Sequence, residues 1–274
     1  MGDRMTVLDR ATWVARRTRQ TVSVFDNGWS VLRQLAARAD ELAFEVDGLT
    51  IHCPNVPGAR VPVYEVFAED EYSLDWFGHG LPDDVHVVDI GAHIGCFSTD
   101  LLRRFPGATV HSYEPTPSTG AYTVRNVESN GLADRITVHR TAVGSRAGTL
   151  VMADNGPGSG HNGVLHLGEA GSVEIEVACD SIADAFAAAG GRVDLLKMDA
   201  EGAEYGILLD SDPTLWSGVR RLVMEYHHSE QHGFDDLRTF LEGTGMTLVR
   251  HETGGPGFGL AWFSRDALPP HVAV

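Results

Sequence analysis

The spacing of apolar positions changes along the chain, and the changes divide it. Over residues 6–40 apolar side chains recur with helical period, interrupted near Asp26-Asn27-Gly28, so two helices with a turn between them are predicted. Phe44–Val46 and Leu49–His52 then flank Asp47-Gly48, a pair suited to the positive backbone angles of a two-residue hairpin. A proline-rich stretch (Pro54, Pro57, Pro62) and a mixed acidic and aromatic segment, Tyr64–Leu74, follow. From residue 85 the pattern changes. Val85–Ile90 is a short apolar run of the kind expected of a strand covered on both faces, and Val193–Asp199 is another. Thr109–Glu114, Ile136–Arg140 and Val219–Tyr226 read as further strands, and Val173–Cys179 alternates like one. A glycine-rich turn and helix are predicted over 91–104, and further helices over 117–130, over Ser181–Ala189 with Asp180 as its cap, from about Glu201, and over Asp235–Glu242. Strands Met246–Arg250 and Leu260–Ser264 close the chain, and residues 154–163 form a polar, glycine-rich loop.

Strands alternating with helices predict an α/β fold with a mainly parallel sheet, in which ligands bind beyond the carboxyl ends of the strands. At 274 residues the chain suits one large domain with a small appendage, here divided as an N-terminal helical and hairpin cap (1–80) and a main domain (81–274). The N-terminal helices can cover a substrate site or pair with a second subunit; a cap that also supports a homodimer is the expectation. With 43% hydrophobic residues the chain can build a substantial core. No apolar run reaches the ~18–20 residues of a membrane helix, and the charged N-terminus lacks a signal-peptide core, so a cytoplasmic protein is expected.

A net charge of −17 repels phosphate backbones and acidic membranes, which argues against nucleic-acid and membrane partners. Lys197 is the only lysine among the 21 basic residues. Cys53, Cys96 and Cys179 are too few and too widely spaced for a disulfide framework or a zinc pattern and are read as reduced packing residues. Trp13, Trp29 and Trp76 are read as helix-packing anchors.

The first buried strand runs into Asp89-Ile90-Gly91-Ala92-His93-Ile94-Gly95, whose glycines allow a tight turn and close approach of a ligand to the backbone. The spacing D-x-G-x-x-x-G is not the G-x-G-x-x-G of dinucleotide binders, which counts against a nicotinamide oxidoreductase. The next strand ends in Glu114, nineteen residues after Gly95, where an acid can accept both hydroxyls of a ribose. With no phosphate clamp in the loop, a nucleoside without phosphates is the better ligand. This arrangement resembles the Rossmann-like methyltransferases that bind S-adenosylmethionine. More narrowly, Leu195-Leu196-Lys197-Met198-Asp199-Ala200-Glu201-Gly202-Ala203-Glu204 resembles the K-[IV]-D-[VA]-E-G-x-E signature of the FkbM-type methyltransferases. Val87-Val88-Asp89-Ile90-Gly91-Ala92, Tyr113-Glu114-Pro115-Thr116-Pro117, Val223-Met224-Glu225-Tyr226-His227 and, upstream, Tyr64-Glu65-Val66-Phe67 with Glu71-Tyr72 also match that family. The resemblance covers roughly residues 60–265. It implies a seven-stranded, mostly parallel sheet with an antiparallel last strand and helices on both faces, and methyl transfer most often to a hydroxyl of a natural product or sugar. His93 departs from the asparagine of many relatives. The residues expected at S-adenosylmethionine are Tyr72, Asp89, Gly91, Ala92, His93, Gly95, Glu114, Pro115, Ala142 and Asp199.

Methyl transfer is an in-line displacement, so the enzyme must place the acceptor opposite the sulfonium and receive its proton. Asp199 ends the fourth strand on the same face as Lys197, and Glu225 and His227 end the fifth. If those strands are neighbours, three readings stand. In one, His227 is the general base oriented by a carboxylate, with Asp199 and Glu201 as catalytic partners. In another, Asp199, Glu225 and His227 hold a divalent cation that acidifies a small-molecule acceptor's hydroxyl. In the third the residues are structural: an ion pair of Lys197 with an acid, and His227 as a capped strand end. Glu204, in the first turn of the following helix, is expected to complement the helix dipole. His228 faces away from His227, and His161 and Asn162 lie in the glycine-rich loop, read as surface rather than lid. An N-methyltransferase would use the same cofactor site; a non-catalytic scaffold would have lost the loop or the acids, and both are intact.

Overall fold

The computed structural model describes residues 7–160, 162–164, 167–168, 172–255 and 257–271. The N-terminal third comprises helices α1 (Val7–Val24) and α2 (Gly28–Ala36), a hairpin of β1 (Glu41–Val46) and β2 (Leu49–Pro54), and helices α3 (Pro57–Phe67) and α4 (Leu74–Phe77). The break between α1 and α2 falls at the expected turn. The hairpin closes through Asp47 at φ 47° and Gly48 at φ 82°, the positive angles that a two-residue turn of this hand demands. Of the proline-rich stretch, Pro54 ends β2 while Pro57 and Pro62 lie in α3; Pro57 sits in its first turn, where its missing N–H has no partner to lose.

Then follow β3 (His86–Ile90), α5 (Cys96–Arg104), β4 (Thr109–Tyr113), α6 (Pro117–Ser129), β5 (Ile136–His139), β6 (Ala142–Gly144), β7 (Gly148–Asp154) and β8 (Val173–Ser181). The remainder is α7 (Ile182–Ala188), β9 (Leu195–Met198), α8 (Glu204–Leu209), β10 (Arg221–Tyr226), α9 (Phe234–Gly243), β11 (Thr247–Gly255) and β12 (Phe258–Ser264). The main sheet has seven strands in the order β11-β12-β10-β9-β3-β4-β5. Strands β5, β4, β3, β9 and β10 are parallel, and the last strand, β12, runs antiparallel to both its neighbours. The α/β class and mostly parallel seven-stranded sheet are therefore as expected.

The two faces of the sheet can be assigned by residue parity. Leu195 and Val223 join a core built with α5, α6, the hairpin and α3, whereas Leu196, Met198, Leu222 and Met224 join the core under α7, α8 and α9. The N-terminal elements thus share one apolar core with the sheet face that carries the odd-numbered residues of β9 and β10. Asn126 of α6 stitches the hairpin to the rest: it accepts from His52 N at 2.7 Å and donates to the carbonyls of His52 and Ile94 at 3.0 and 2.8 Å.

Several boundaries differ from expectation. Val173–Cys179 is a strand, but it belongs to a separate three-stranded sheet, β6-β8-β7, two strands of which were not legible. The cap of α7 is Ser181, in a reciprocal capping box with Asp184, while Asp180 accepts from Thr141 Oγ1 at 2.7 Å. Trp13 and Trp29 are 48% and 66% exposed and anchor no core; Trp76 donates its indole N–H to Pro269 O. The three cysteines are free and buried. Among the described residues no helix is long and apolar enough to cross a membrane.

Replacing Asn126 by alanine strands the half-buried His52 N–H and the buried Ile94 carbonyl, so a loss of ~2 kcal/mol in chemical denaturation is expected. A change below ~0.5 kcal/mol would show that water replaces the tie without penalty.

Candidate active site

The carboxyl ends of β3, β4, β9 and β10 open onto a cavity of about 640 Å³, large enough for a nucleoside cofactor and a small acceptor. Its floor is the turn after β3. Gly91 has φ 76°, and a Cβ there would stand 1.7 Å from Asp199 O, so only glycine lets this turn pass the end of β9. The N–H groups of Gly91 and Ala92 both donate to Tyr113 O, which ties the turn to β4. His93 lies in the left-handed region at φ 52°, where asparagine and histidine are among the more tolerant side chains. Burial pushes its imidazole down to about 4, so the ring is neutral.

Glu114 closes β4 at one end of the cavity. Its carboxylate accepts from His93 N and Thr116 N, each at 2.9 Å, which fixes its orientation and leaves further lone pairs for a ligand's hydroxyls. Burial pushes its carboxyl up to about 7 against the opposing pull of these backbone donors. Gly91, Ala92, His93, Pro115, Ala142 and Tyr72 also line this cavity. Tyr72 does so while packing edge-on against Phe97 at 5.2 Å, so its ring is both wall and core.

Two residues expected at the cofactor stand elsewhere. Asp89 is fully buried beneath the turn, where Oδ2 accepts from Ser98 Oγ at 2.6 Å and Oδ1 lies 3.5 Å from Lys197 Nζ. Gly95, at φ 87°, caps the start of α5. Neither lines the cavity, because the strand end and the helix start lie below the turn that the ligand would touch. Lys197 Nζ donates to Gly91 O at 2.6 Å and stands 3.6 Å from Asp199 Oδ2, joining the two sides of the floor. Burial would lower its ammonium, but Asp89, Asp199 and Glu225 outweigh burial and hold it charged beyond its ordinary range.

The other end of the cavity is acidic. Asp199, Glu201 and Glu225 line it, joined by Glu65 and Glu71 from the N-terminal segment. Burial first, and then neighbouring carboxylates, push Glu65 up to about 7, Glu71 and Glu201 to about 8, and Glu225 to about 9. His227 follows β10 directly. Its Nδ1 donates to Glu204 Oε1 at 3.1 Å, and its Nε2 faces Glu201 Oε2 at 3.5 Å and Glu225 Oε1 at 3.6 Å. Burial alone would lower the imidazole; Glu204, then Glu201 and Asp199, push it up to about 10. The carboxylates at both ring nitrogens favour the charged ring and hold it with Nε2 toward the cavity.

The helix expected from Glu201 starts at Glu204, and Glu201 occupies a left-handed turn at φ 47° that swings its carboxylate toward His227. Glu204 is not a surface acid at a helix end. It is fully buried, accepts from Ala200 N and Gly202 N at 2.9 and 3.2 Å, and orients His227. The donor atoms that gather within 4.8 Å of one another are those of Asp199, Glu201 and His227, so Glu201 takes the place expected for Glu225 in a cation-holding set. His228, expected to face away from His227, is exposed where His227 is buried. The glycine-rich loop, read as surface, forms one wall of the cavity through Ser159, Gly160, Asn162 and Gly163; it is held by Gly158 N donating to Thr119 Oγ1 at 2.9 Å. His161 lies outside the described residues. Glu65 and Glu71 were missed as site residues, although Glu65 is a lone acid within the apolar stretch Val61–Phe67, which is the signal that could have found it.

A parallel sheet with a glycine turn after its first buried strand, an acid closing the next and no phosphate clamp defines a Rossmann-like nucleoside site. The profile of the methyltransferase FkbM domain matches residues 89–248, and the chain belongs to that family of S-adenosylmethionine-dependent methyltransferases. It is 27% identical over 236 residues to methyltransferase sdnD of Sordaria araneosa, covering 75% of this chain and 89% of that protein. It is 28% identical over 239 residues to the 31-O-demethyl-FK506 methyltransferase FkbM of Streptomyces tacrolimicus, covering 75% of this chain and 88% of that one. The crystal structure of methyltransferase FkbM from Methylobacillus flagellatus KT aligns with a TM-score of 0.46 at 20% identity, over 73% of this chain and 52% of that chain.

Two outcomes are expected in calorimetric titration with S-adenosylhomocysteine. Gly91→Ala abolishes binding, because its Cβ cannot coexist with Asp199 O. For the native chain, affinity rises with pH up to about 7 and then levels if Glu114 takes the ribose hydroxyls, because the protonated acid surrenders an acceptor that the ionised one offers. Below that point the loss approaches about tenfold per pH unit, and Glu114→Gln should bind weakly with no such slope. A native profile identical in shape to that of Glu114→Gln would remove Glu114 from the cofactor site.

Proposed function

We propose that this protein transfers a methyl group from S-adenosylmethionine to a hydroxyl of a small molecule. The observation that carries this reading is the continuity of the cavity: Glu114 stands at one end and Asp199, Glu201 and Glu225 at the other. In the reading, Gly91, Ala92, His93 and Pro115 hold the cofactor against the turn, and Glu114 takes its ribose. The cofactor supplies an electrophilic methyl on a positively charged sulfur. The residues at the acidic end place the acceptor oxygen in line with that methyl and receive the hydroxyl proton, which must leave as the new O–C bond forms. Residues 1–80 act as the cap of the acceptor end, since Glu65, Glu71 and Tyr72 reach the cavity from that segment. A relative named for methylating 31-O-demethyl-FK506 favours oxygen as acceptor atom and a natural-product scaffold as its bearer.

A second reading, N-methylation, draws on the same acids, because a carboxylate-walled cavity also receives a protonated amine. A panel of hydroxylated and aminated small molecules, assayed for S-adenosylhomocysteine release and for product mass, separates the two. Transfer to hydroxyls, reduced at least ~100-fold in Asp199→Ala, is expected. Turnover of amines alone would replace the hydroxyl reading.

A further inference from the structure

We propose that Asp199, Glu201 and His227 form a divalent-cation site at the acceptor end of the cavity, with Glu204 as the group that orients the histidine. The proposal deepens the methyl-transfer reading and relies on it only for the role of the ion.

The donor set comes first. Two carboxylates and one imidazole bring a ligand atom each to within 4.8 Å of one another, mixing the oxygen donors preferred by magnesium and manganese with one nitrogen. His227 Nε2 lies 3.5 Å from Glu201 Oε2, longer than a good hydrogen bond. An ion at ~2.1 Å from each would draw the two donors to about 3 Å of one another, a shift of about half an ångström that the two side chains can make.

A second, independent feature is Asp199 Oδ1. This oxygen is buried and has no hydrogen-bond partner. Lys197 approaches the other oxygen, Oδ2, at 3.6 Å, and its ammonium is committed to Gly91 O at 2.6 Å and to Asp89 at 3.5 Å. A desolvated carboxylate oxygen left without a donor is costly unless a cation meets it.

The third feature is the support behind His227. Its side chain is 10% exposed, and Nδ1 is engaged by Glu204, which the backbone N–H groups of Ala200 and Gly202 hold in place. With Nδ1 occupied, Nε2 is the atom presented to the cavity, the carboxylate–histidine arrangement that fixes a metal-binding imidazole. Asp199 and His227 leave neighbouring parallel strands, β9 and β10, so their separation is set by the sheet, and the left-handed turn at Glu201 completes the set. An ion there faces the acceptor and acidifies a hydroxyl that coordinates it.

The test uses the full chain, freed of metal with EDTA, and Mn²⁺ as the probe, with free Mn²⁺ counted by electron paramagnetic resonance. S-adenosylhomocysteine affinity is measured on the same samples. One Mn²⁺ per chain is expected, lost in His227→Ala and in Glu201→Gln. Glu204→Gln, which removes no ligand, should weaken it by about tenfold or more. Retained S-adenosylhomocysteine binding in these variants shows that they are folded, and Glu114→Ala should keep Mn²⁺ while losing the nucleoside. The proposal is overturned if the native chain binds S-adenosylhomocysteine and takes up no Mn²⁺, or if His227→Ala and Glu201→Gln hold the ion as tightly as the native chain. Mn²⁺ bound as expected, with no transfer to any hydroxyl, would support the ion site and overturn the hydroxyl reading instead.

Discussion

The site depends on the burial of one ammonium group. Lys197 is 3% exposed in the middle of a parallel sheet, a position that no lysine occupies without partners. Its partners are Asp89 from the neighbouring strand, Asp199 from its own and the carbonyl of Gly91 from the turn. Removing one member of such a buried pair commonly costs ~3–5 kcal/mol, because the other charge is left alone. The consequence is geometric. The turn after β3 and the end of β9, which both line the cavity, are tied to the same nitrogen, so neither can move without disturbing a buried charge.

The acids are arranged around that point in two kinds. Asp89 and Glu204 are fully buried and point at protein groups: a serine and a lysine in one case, two backbone amides and a histidine in the other. They hold other residues in place. Asp199, Glu201, Glu225, Glu65 and Glu71 instead line the cavity. Gathering them in one desolvated space opposes their ionisation, and that opposition is relieved by positive charge. The sulfonium of S-adenosylmethionine is one such charge, so an electronegative cavity is consistent with the cofactor as well as with an acceptor end built from carboxylates.

The N-terminal segment is part of this construction. Its apolar residues Phe44, Val63 and Leu74 share a core with Leu195 and Val223 of the sheet. Its acids Glu65 and Glu71 face the same cavity as Asp199. Packing and chemistry both lie on the sheet face that carries the odd-numbered residues of β9 and β10.

Much of this was determined by local sequence. The glycine turn, the acid closing β4, the hairpin at Asp47-Gly48 and the order of strands and helices follow from backbone requirements and hydrophobic periodicity that act over a few residues. The family signature from Lys197 to Glu204 was equally legible, because it is contiguous. What local sequence could not settle was the function of each acid within it. Asp89 and Glu114 look alike as strand-ending acids, yet one supports the turn from beneath and the other lines the cavity. Glu204 reads as a helix-dipole acid and is in fact buried against His227. Strand β6 escaped notice because it has three residues, β7 because it is largely exposed and without a clear period, and the glycine-rich loop was read as surface for its polarity. These distinctions depend on which face of the sheet a neighbour covers and on charges brought together from distant parts of the chain. Desolvation and long-range Coulomb interactions exist only once the chain has folded, and so only the tertiary structure decided them.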